Sequence, residues 1–395
     1  MVKQGGERST LVVVSNGVTP YGLHFLKRVA IELTEVNLKT IFSYEHSMGT
    51  WKLPVPPEIN ATVLGAGEFS REPQSLRELV TSFKRSHELI RWLEEVGPSA
   101  IMLFGYGMPP HRSVLRWASR KRVPVLLWGD SNIRGDRSSG LRRLIKRLIV
   151  RRLVAKCRAI LCCGRRGREY FRRYGAHDDQ IFYVPNEPDY QLLDASTAEN
   201  TEVSLSRWGI DLSRRRMVFS GRLVELKRVD WLIRAFDTIA DERSNWDLLI
   251  IGDGPCRLDL ERLVPARLAS RVIWTGFIND PQTIAALYRV SDLLVLPSNF
   301  EAWALVVNEA AAAGLAIVCS DVVGAAPELV RDGVNGYVFP VDDFDALKQC
   351  MLMASDPTAI DKFKATSPAV LREWRAAADP VEGLRKSLMY VDVLS

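Results

Sequence analysis

The sequence predicts an α/β protein of two Rossmann-like, doubly wound parallel-sheet domains in series along its 395 residues. Three observations carry this. Short apolar runs recur that are hydrophobic at successive rather than alternate positions, as strands buried on both faces require. Helix-like stretches fall between them, the alternation that builds a parallel sheet through crossovers. The pattern stops at a polar stretch near residue 189 and then starts again. The length agrees, since a single core rarely grows past about 250–300 residues.

Taken in order, the first half has apolar runs at 10–15 (TLVVVS), 40–43, 61–64, 100–104, 123–128, 159–163 and 181–184, with helical stretches at 23–33 and 76–95. A polar bridge at 189–207 follows. Further runs fall at 217–220, 247–251, 272–275, 292–296, 316–320 and 336–339, with helices expected at 229–240, 257–264, 281–290 and 305–313. The expected domains are 1–189 and 190–367. An amphipathic helical stretch over 368–395, carrying Trp374, Leu384, Leu388 and Tyr390, is expected to pack back on the first domain. Two such domains imply a cleft between them, and ligands bind these sheets at the carboxyl ends of the strands.

Composition excludes several classes. A hydrophobic share of 47% and a charged share of 25% exclude a disordered chain, and 26 Gly with 20 Pro exclude a collagen-like or low-complexity one. The most apolar stretch, 304–319, is interrupted by Asn308 and Glu309, so no spanning helix is expected. The start of the chain is polar, so no secretory signal is expected. Six cysteines at 157, 162, 163, 256, 319 and 350 form no CxxC pair, which fits reduced thiols in a cytoplasm. Five histidines without HExxH give no expectation of a protein-held metal.

The net charge of +6 is unevenly placed. Residues 134–174 hold fifteen Lys or Arg against two acids. Within them, SGLRRLIKRLIVRRLVAK (139–156) aligns Leu141, Leu144, Ile145, Leu148, Ile149 and Leu153 on one helical stripe. That stripe is expected to enter the first domain's core, with direct insertion into a membrane as the alternative. The basic face, with Arg142, Arg143, Lys146, Arg147, Arg151 and Arg152, is expected to attract an anionic membrane surface. Nucleic acid is the rival partner, and a basic helix poor in aromatics inside a complete enzyme scaffold argues against it.

Three stretches have the chemistry of a phosphate site. In PSNFEAWALVVNEAAAAG (297–314) a strand ends, a polar loop follows and a helix begins near Leu305. Its first-turn amides and dipole would favour an anion. Glu301 precedes that turn, and Glu309 can accept two hydroxyl bonds, as from a ribose diol. The spacing equally allows Glu301 as a helix-cap charge and Glu309 as a solvated acid. In SGRLVELKRVD (220–230), Arg222 and Lys227 can converge on one anion, as a departing diphosphate needs; Arg222 could instead pair with Glu225. In SNGVTPYGL (15–23), Gly17 and Gly22 allow close backbone approach before a helix, as any β–α turn might use. GDGP (252–255) has more the character of a structural turn.

The segments GRLVELKR, IIGDGP, TGFIND, the Glu301-to-Glu309 stretch and PELVRDGVNGYVFP follow one another from 217 to 340. In that order they resemble the second domain of a GT-B retaining glycosyltransferase of family 4 type, the group 1 enzymes that include bacterial polysaccharide glycosyltransferases. VPNEPD (184–189) resembles that family's linker, and WGDS (128–131) a segment of its bacterial polysaccharide members. The resemblance implies transfer, with retention, from a nucleoside-diphosphate sugar to a glycan or lipid-linked saccharide. The donor would be a UDP-sugar, with GDP-mannose as the competitor. It places Arg222 and Lys227 on the diphosphate, Glu309 on the ribose, Glu301 by the donor sugar, and Phe277 and Ile278 around the base. The amides of Ala302, Trp303, Ala304, Leu305 and Val306 would hold sugar and phosphate, and Gly22 would approach the ligand from the first domain. It implies neither a cofactor nor a metal, and a cytoplasmic enzyme at the inner membrane face. Two departures stand out. Ala302, Trp303 and Ala304 replace the family's frequent Gly-Phe-Gly, which is expected to reshape the sugar pocket. FGYGMPPH (104–111) has no histidine until His111, leaving Tyr106, Asp130 or backbone groups to serve near the reaction centre. A nucleotide-sugar epimerase on the same scaffold is the alternative enzyme; a phosphorylase would need a pyridoxal-phosphate lysine, for which no motif appears.

Overall fold

A computed structural model of the chain describes residues 8–43, 54–64, 76–107, 109–136, 139–195 and 198–395. The polar start through Glu7, Met108 and the side chains of Leu141 and Arg142 lie outside the described residues. The chain divides into two compact units, residues 1–187 with 378–395, and residues 188–377.

The first unit is a seven-stranded parallel sheet of order β3-β2-β1-β4-β5-β6-β7. Its strands are β1 (Ser9–Ser15), β2 (Val36–Phe42), β3 (Ala61–Val63), β4 (Ala100–Phe104), β5 (Val125–Gly129), β6 (Ala159–Cys162) and β7 (Ile181–Tyr183). The central strands are sealed, with Leu11, Val12, Val13 and Val14 all at 0% exposure, which is why they read as continuous apolar runs. Five helices connect them: α1 (Pro20–Glu32), α2 (Leu76–Val96), α3 (Pro109–Lys121), α4 (Gly140–Val154) and α5 (Arg165–Arg173). Thr19 caps α1 by accepting the Gly22 amide at 3.1 Å.

The second unit is a six-stranded parallel sheet of order β10-β9-β8-β11-β12-β13. Its strands are β8 (Arg215–Ser220), β9 (Trp246–Ile251), β10 (Val272–Gly276), β11 (Leu293–Leu296), β12 (Ala316–Ser320) and β13 (Gly336–Phe339). Its helices in chain order are α6 (Tyr190–Asp194), α7 (Ala198–Trp208), α8 (Val229–Ile239), α9 (Arg257–Leu263), α10 (Pro281–Arg289), α11 (Leu305–Ala312), α12 (Ala326–Leu329), α13 (Phe344–Ala354) and α14 (Ile360–Ala377), after which α15 (Pro380–Tyr390) returns to the first unit. Both sheets reverse their winding beside their first strand, β1 against β4 and β8 against β11, the switch points where such sheets bind ligands.

Each predicted strand is present. The polar bridge is not a plain linker, because its described part folds as α6 and α7, both packed on α10. Asp189 of the bridge caps α6, its Oδ1 accepting the amides of Gln191 and Leu192, and Arg289 of α10 donates from Nη2 to the carbonyls of Leu193 and Asp194. The C-terminal stretch is two helices. α14 packs on α11 and β12 within the second unit, where Ser367 Oγ donates to Leu315 O. α15 lies on β6, β7 and α1 of the first unit. A Cβ on Gly383 would sit 1.9 Å from Tyr183 O, so only glycine lets α15 approach β7 this closely. Arg28 fastens α1 to α15 through Glu187 at 2.5 Å and Asp379 at 2.7 Å.

One expectation fails on α4. Its outer apolar residues do not enter the core: Leu144 is 54% exposed, Ile145 48%, Leu148 48% and Ile149 40%. The core side of the helix is supplied by Val150 and Val154, with Leu153 beside them.

Candidate active site

In the second unit, the loops leaving β8, β9 and β10 are zipped backbone to backbone at the carboxyl edge of the sheet. Gly221 N donates to Ile251 O (2.9 Å), Leu223 N to Asp253 O (2.9 Å), Cys256 N to Leu223 O (3.1 Å) and Gly252 N to Gly276 O (3.0 Å). A Cβ on Gly252 would meet Gly221 O at 2.0 Å, and one on Gly254 would meet Leu223 O at 2.4 Å. The GDGP glycines thus serve loop–loop contact, as the structural reading held.

The loop after β11 joins the same edge, because Asn299 N donates to Leu226 O at 2.8 Å. This bond brings together two residues that are far apart in sequence: Lys227 Nζ forms an ion pair with Glu301 Oε1. Ser298 Oγ donates to the same oxygen at 2.8 Å. The pair is largely screened from water, the side chains being 23% and 11% exposed. An ammonium carries three donors, so those not used by Glu301 remain for an anion. Arg222, on the adjoining loop, is exposed and does not pair with Glu225.

Glu301 leads directly into α11. Ala304 is the N-cap residue, with φ +80° and ψ 80°, and no side chain caps the helix. The first backbone bond of the turn is Val307 N to Ala304 O at 3.0 Å. Leu305 and Val306 are half-buried at this uncapped start, where amides and dipole favour negative charge. An L-residue in the left-handed region stores strain of about 1–2 kcal/mol. Ala304→Gly is therefore expected to raise stability by roughly 1 kcal/mol in urea titrations; a loss of stability would show that the turn draws on the methyl group's packing.

The indole of Trp303 corrects an expectation. It does not reshape a pocket, because it is 3% exposed and turned into the protein. Its Nε1 donates to Asn308 Oδ1 at 3.0 Å, Asn308 Nδ2 donates to Tyr190 Oη at 3.1 Å, and Trp374 lies 6.2 Å away ring to ring. A bulky residue fits here because Gly324 lies flush against the loop; a Cβ there would be 1.9 Å from Ala302 O. No sequence signal pointed to Asn308, Tyr190 or Gly324.

Glu309 lies one turn into α11 and is not simply solvated. Its Oε2 accepts the Tyr288 hydroxyl at 3.0 Å, and it faces a cavity of about 100 Å³ with Tyr288, Arg289, Leu193 and Asp194. Burial holds its carboxyl above the usual range, partly offset by the Tyr288 bond, and burial also lifts the Tyr288 phenol well above its ordinary value. Phe277, 54% exposed, and Ile278, half-buried, sit on the loop after β10, next to the zipped glycine loops.

In the first unit, a cavity of about 520 Å³ opens at the switch point, lined by residues that include Asn16, Gly22, Tyr106, Trp128 and Asp130. Gly22 lines it, but its amide is already engaged by Thr19. Both candidates for the missing histidine, Tyr106 and Asp130, face this space. Tyr106 is held by a 2.8 Å hydroxyl contact with Tyr170. His111 is 1% exposed and is not among the residues that line the cavity. Neither of its ring nitrogens makes a hydrogen bond of good geometry among the described residues, though the Gly105 backbone lies near enough to favour the protonated ring.

Two family models match, one to each half: "Glycosyl transferases group 1" over residues 214–356 and "Glycosyl transferase 4-like domain" over residues 43–187. The chain is 29% identical to an alpha-D-kanosaminyltransferase of Streptomyces kanamyceticus over 60% of its own length and 62% of that protein. It is 29% identical to a D-inositol 3-phosphate glycosyltransferase of Corynebacterium diphtheriae over 56% and 54% of the two chains. The chain thus matches little more than half the length of these curated relatives. Among solved structures, a Rickettsia africae glycosyltransferase superposes with TM-score 0.74 at 13% identity, covering 99% of this chain and 100% of that one. Anabaena HepE, solved with UDP and glucose, superposes with TM-score 0.73 at 15% identity, covering 96% and 99%. The fold is GT-B, and the chain belongs to the group 1, family 4-type glycosyltransferases.

Proposed function

We propose that the protein transfers a sugar, with retention of configuration, from a UDP-sugar to a glycan or lipid-linked saccharide in cell-surface polysaccharide synthesis, working in the cytoplasm at the inner face of the membrane. The observation that carries this reading is the Lys227–Glu301 pair set against the uncapped start of α11. A nucleoside diphosphate leaves with its negative charge growing as the sugar bond breaks. Ammonium, guanidinium and helix-start amides fixed in advance stabilise that charge. In this reading Lys227, Arg222 and the amides of Leu305 and Val306 meet the diphosphate, in place of a divalent ion. Glu301 keeps Lys227 oriented and lies at the donor sugar. The free oxygen of Glu309 takes a ribose hydroxyl, and Phe277 with Ile278 covers the base.

The acceptor belongs in the 520 Å³ cavity of the first unit, whose polar and aromatic walls suit a sugar. Front-face attack, with the leaving phosphate taking the acceptor's proton, retains the configuration and requires no protein nucleophile. Uridine is favoured as the base by the ligand of the Anabaena relative. The test is a thermal-shift screen of UDP-, GDP- and ADP-sugars. A UDP-sugar is expected to raise Tm most, since a ligand at about 100 times its Kd adds about 2.7 kcal/mol to the folded state. A larger rise with GDP-mannose would reassign the donor, and no rise with any nucleotide sugar would refute the site.

A further inference from the structure

Helix α4 is apolar on two opposite sides. Val150 and Val154 face the core. At about 100° per residue, Leu144, Ile145, Leu148 and Ile149 share the other side, between 40% and 54% exposed. Isolated apolar residues on a surface are ordinary, but four large aliphatics side by side mark a contact surface. Arg143, Arg147, Arg151 and Arg152 are also exposed on this helix, which carries no acid. Arg172 and Arg173 add exposed charge at the end of α5. Two copies of α4 would bring like charges together, so a second copy of this chain is a poor occupant. A surface that is apolar beneath and anionic above matches both features.

We infer that α4 lies in the plane of an anionic lipid bilayer. Leu144, Ile145, Leu148 and Ile149 enter the acyl boundary, and Arg147 and Arg151, toward the flank of that face, meet lipid phosphates. Arg152, among the aliphatics, is long enough to snorkel to the headgroups. The helix is also tied to the cavity of the same unit. Lys146 Nζ pairs with Asp136 at 2.9 Å, and Asp136 accepts the Tyr174 hydroxyl at 2.5 Å. Tyr174 packs on Tyr170 with ring centroids 4.8 Å apart, and Tyr170 holds Tyr106 at the cavity wall. A docked α4 therefore sets that cavity at a fixed place relative to the headgroups. This deepens the acceptor part of the function proposed above, by making the acceptor one presented at a lipid surface.

The test is flotation of the full chain with phosphatidylcholine vesicles, with and without phosphatidylglycerol. The chain is expected to float only with the anionic vesicles. L144S/L148S and R147E/R151E should each lower the bound fraction at least about tenfold, and salt should weaken binding only in part, since apolar insertion is not screened. Both variants change exposed side chains, so their Tm and their thermal shift with UDP should match the parent. That second readout reports on the donor site independently of the membrane. The inference is overturned if the parent chain stays unbound, if the variants float as well as the parent, if L144S/L148S instead splits a dimer in size-exclusion chromatography, or if duplex DNA competes the chain off the vesicles.

Discussion

Lys227→Ala is expected to lower kcat by about 100- to 1,000-fold, the scale for removing one preorganised donor from a site of developing charge. The variant loses the ammonium that faces the Glu301 carboxylate, so in the proposed site the carboxylate's repulsion of the diphosphate adds to the loss. The acceptor's KM should move little, because in the function proposed above the lysine meets the donor's leaving group. The folded state should also lose roughly 3 kcal/mol, since removing one partner of a pair largely screened from water leaves the other charge uncompensated. Glu301→Gln combined with Lys227→Ala should fall short of the product of the two single effects, as paired residues do. Steady-state kinetics with saturating donor decides the matter. Unchanged turnover in Lys227→Ala would remove the central claim about this site.

The second large effect is on stability and follows from His111. Burial pushes its imidazole down from 6.5 to about 4, with a small opposing effect from the Gly105 backbone. The folded state therefore favours the neutral ring, while the unfolded chain takes up a proton near 6.5. Stability is full above that value and falls with pH, because the unfolded state then binds more protons. The loss is about 2 kcal/mol between pH 7 and pH 5, and about 3 kcal/mol by pH 4. His111→Leu should flatten this part of the profile in urea titrations run across that range. Equal slopes for the parent and the variant would mean that the ring already finds a proton acceptor. Carboxylates such as Asp379, which burial raises but which the Glu382 amide and then Arg28 hold low, lose their share of stability at lower pH, so the histidine is read most cleanly between pH 7 and 5.

Much of the fold was legible because strands buried on both faces must be apolar throughout. The runs at 10–15 and 316–320 needed no tertiary information to be recognised. Helices were harder to see. α5 is only nine residues long and carries Arg165, Arg166, Arg168, Arg172 and Arg173, so the short apolar face of Gly167, Tyr170 and Phe171 is lost among its charges. α6 and α7 were hidden by the polar composition of the bridge, in which Asp189 serves as the cap of α6. Such residues have the composition of a loop whether or not they form one. In the site, the two acids and two cations were visible as residue types at suggestive spacings. The pairing of Lys227 with Glu301 was not, since the two lie 74 positions apart and are brought together by the parallel pairing of β8 with β11 and by the Asn299–Leu226 backbone bond.

The sequence by itself determined the two parallel sheets, the order of their strands along the chain and the group to which the motifs belong, because these depend on local pattern and spacing. Only the tertiary structure decided which way side chains point. It turned Trp303 inward, paired Glu309 with Tyr288, placed Tyr106 rather than His111 on the cavity wall, and left the aliphatics of α4 facing out. The reason is that a helical period fixes which residues share a face, while the neighbour that a face meets is set by packing between elements distant in the chain.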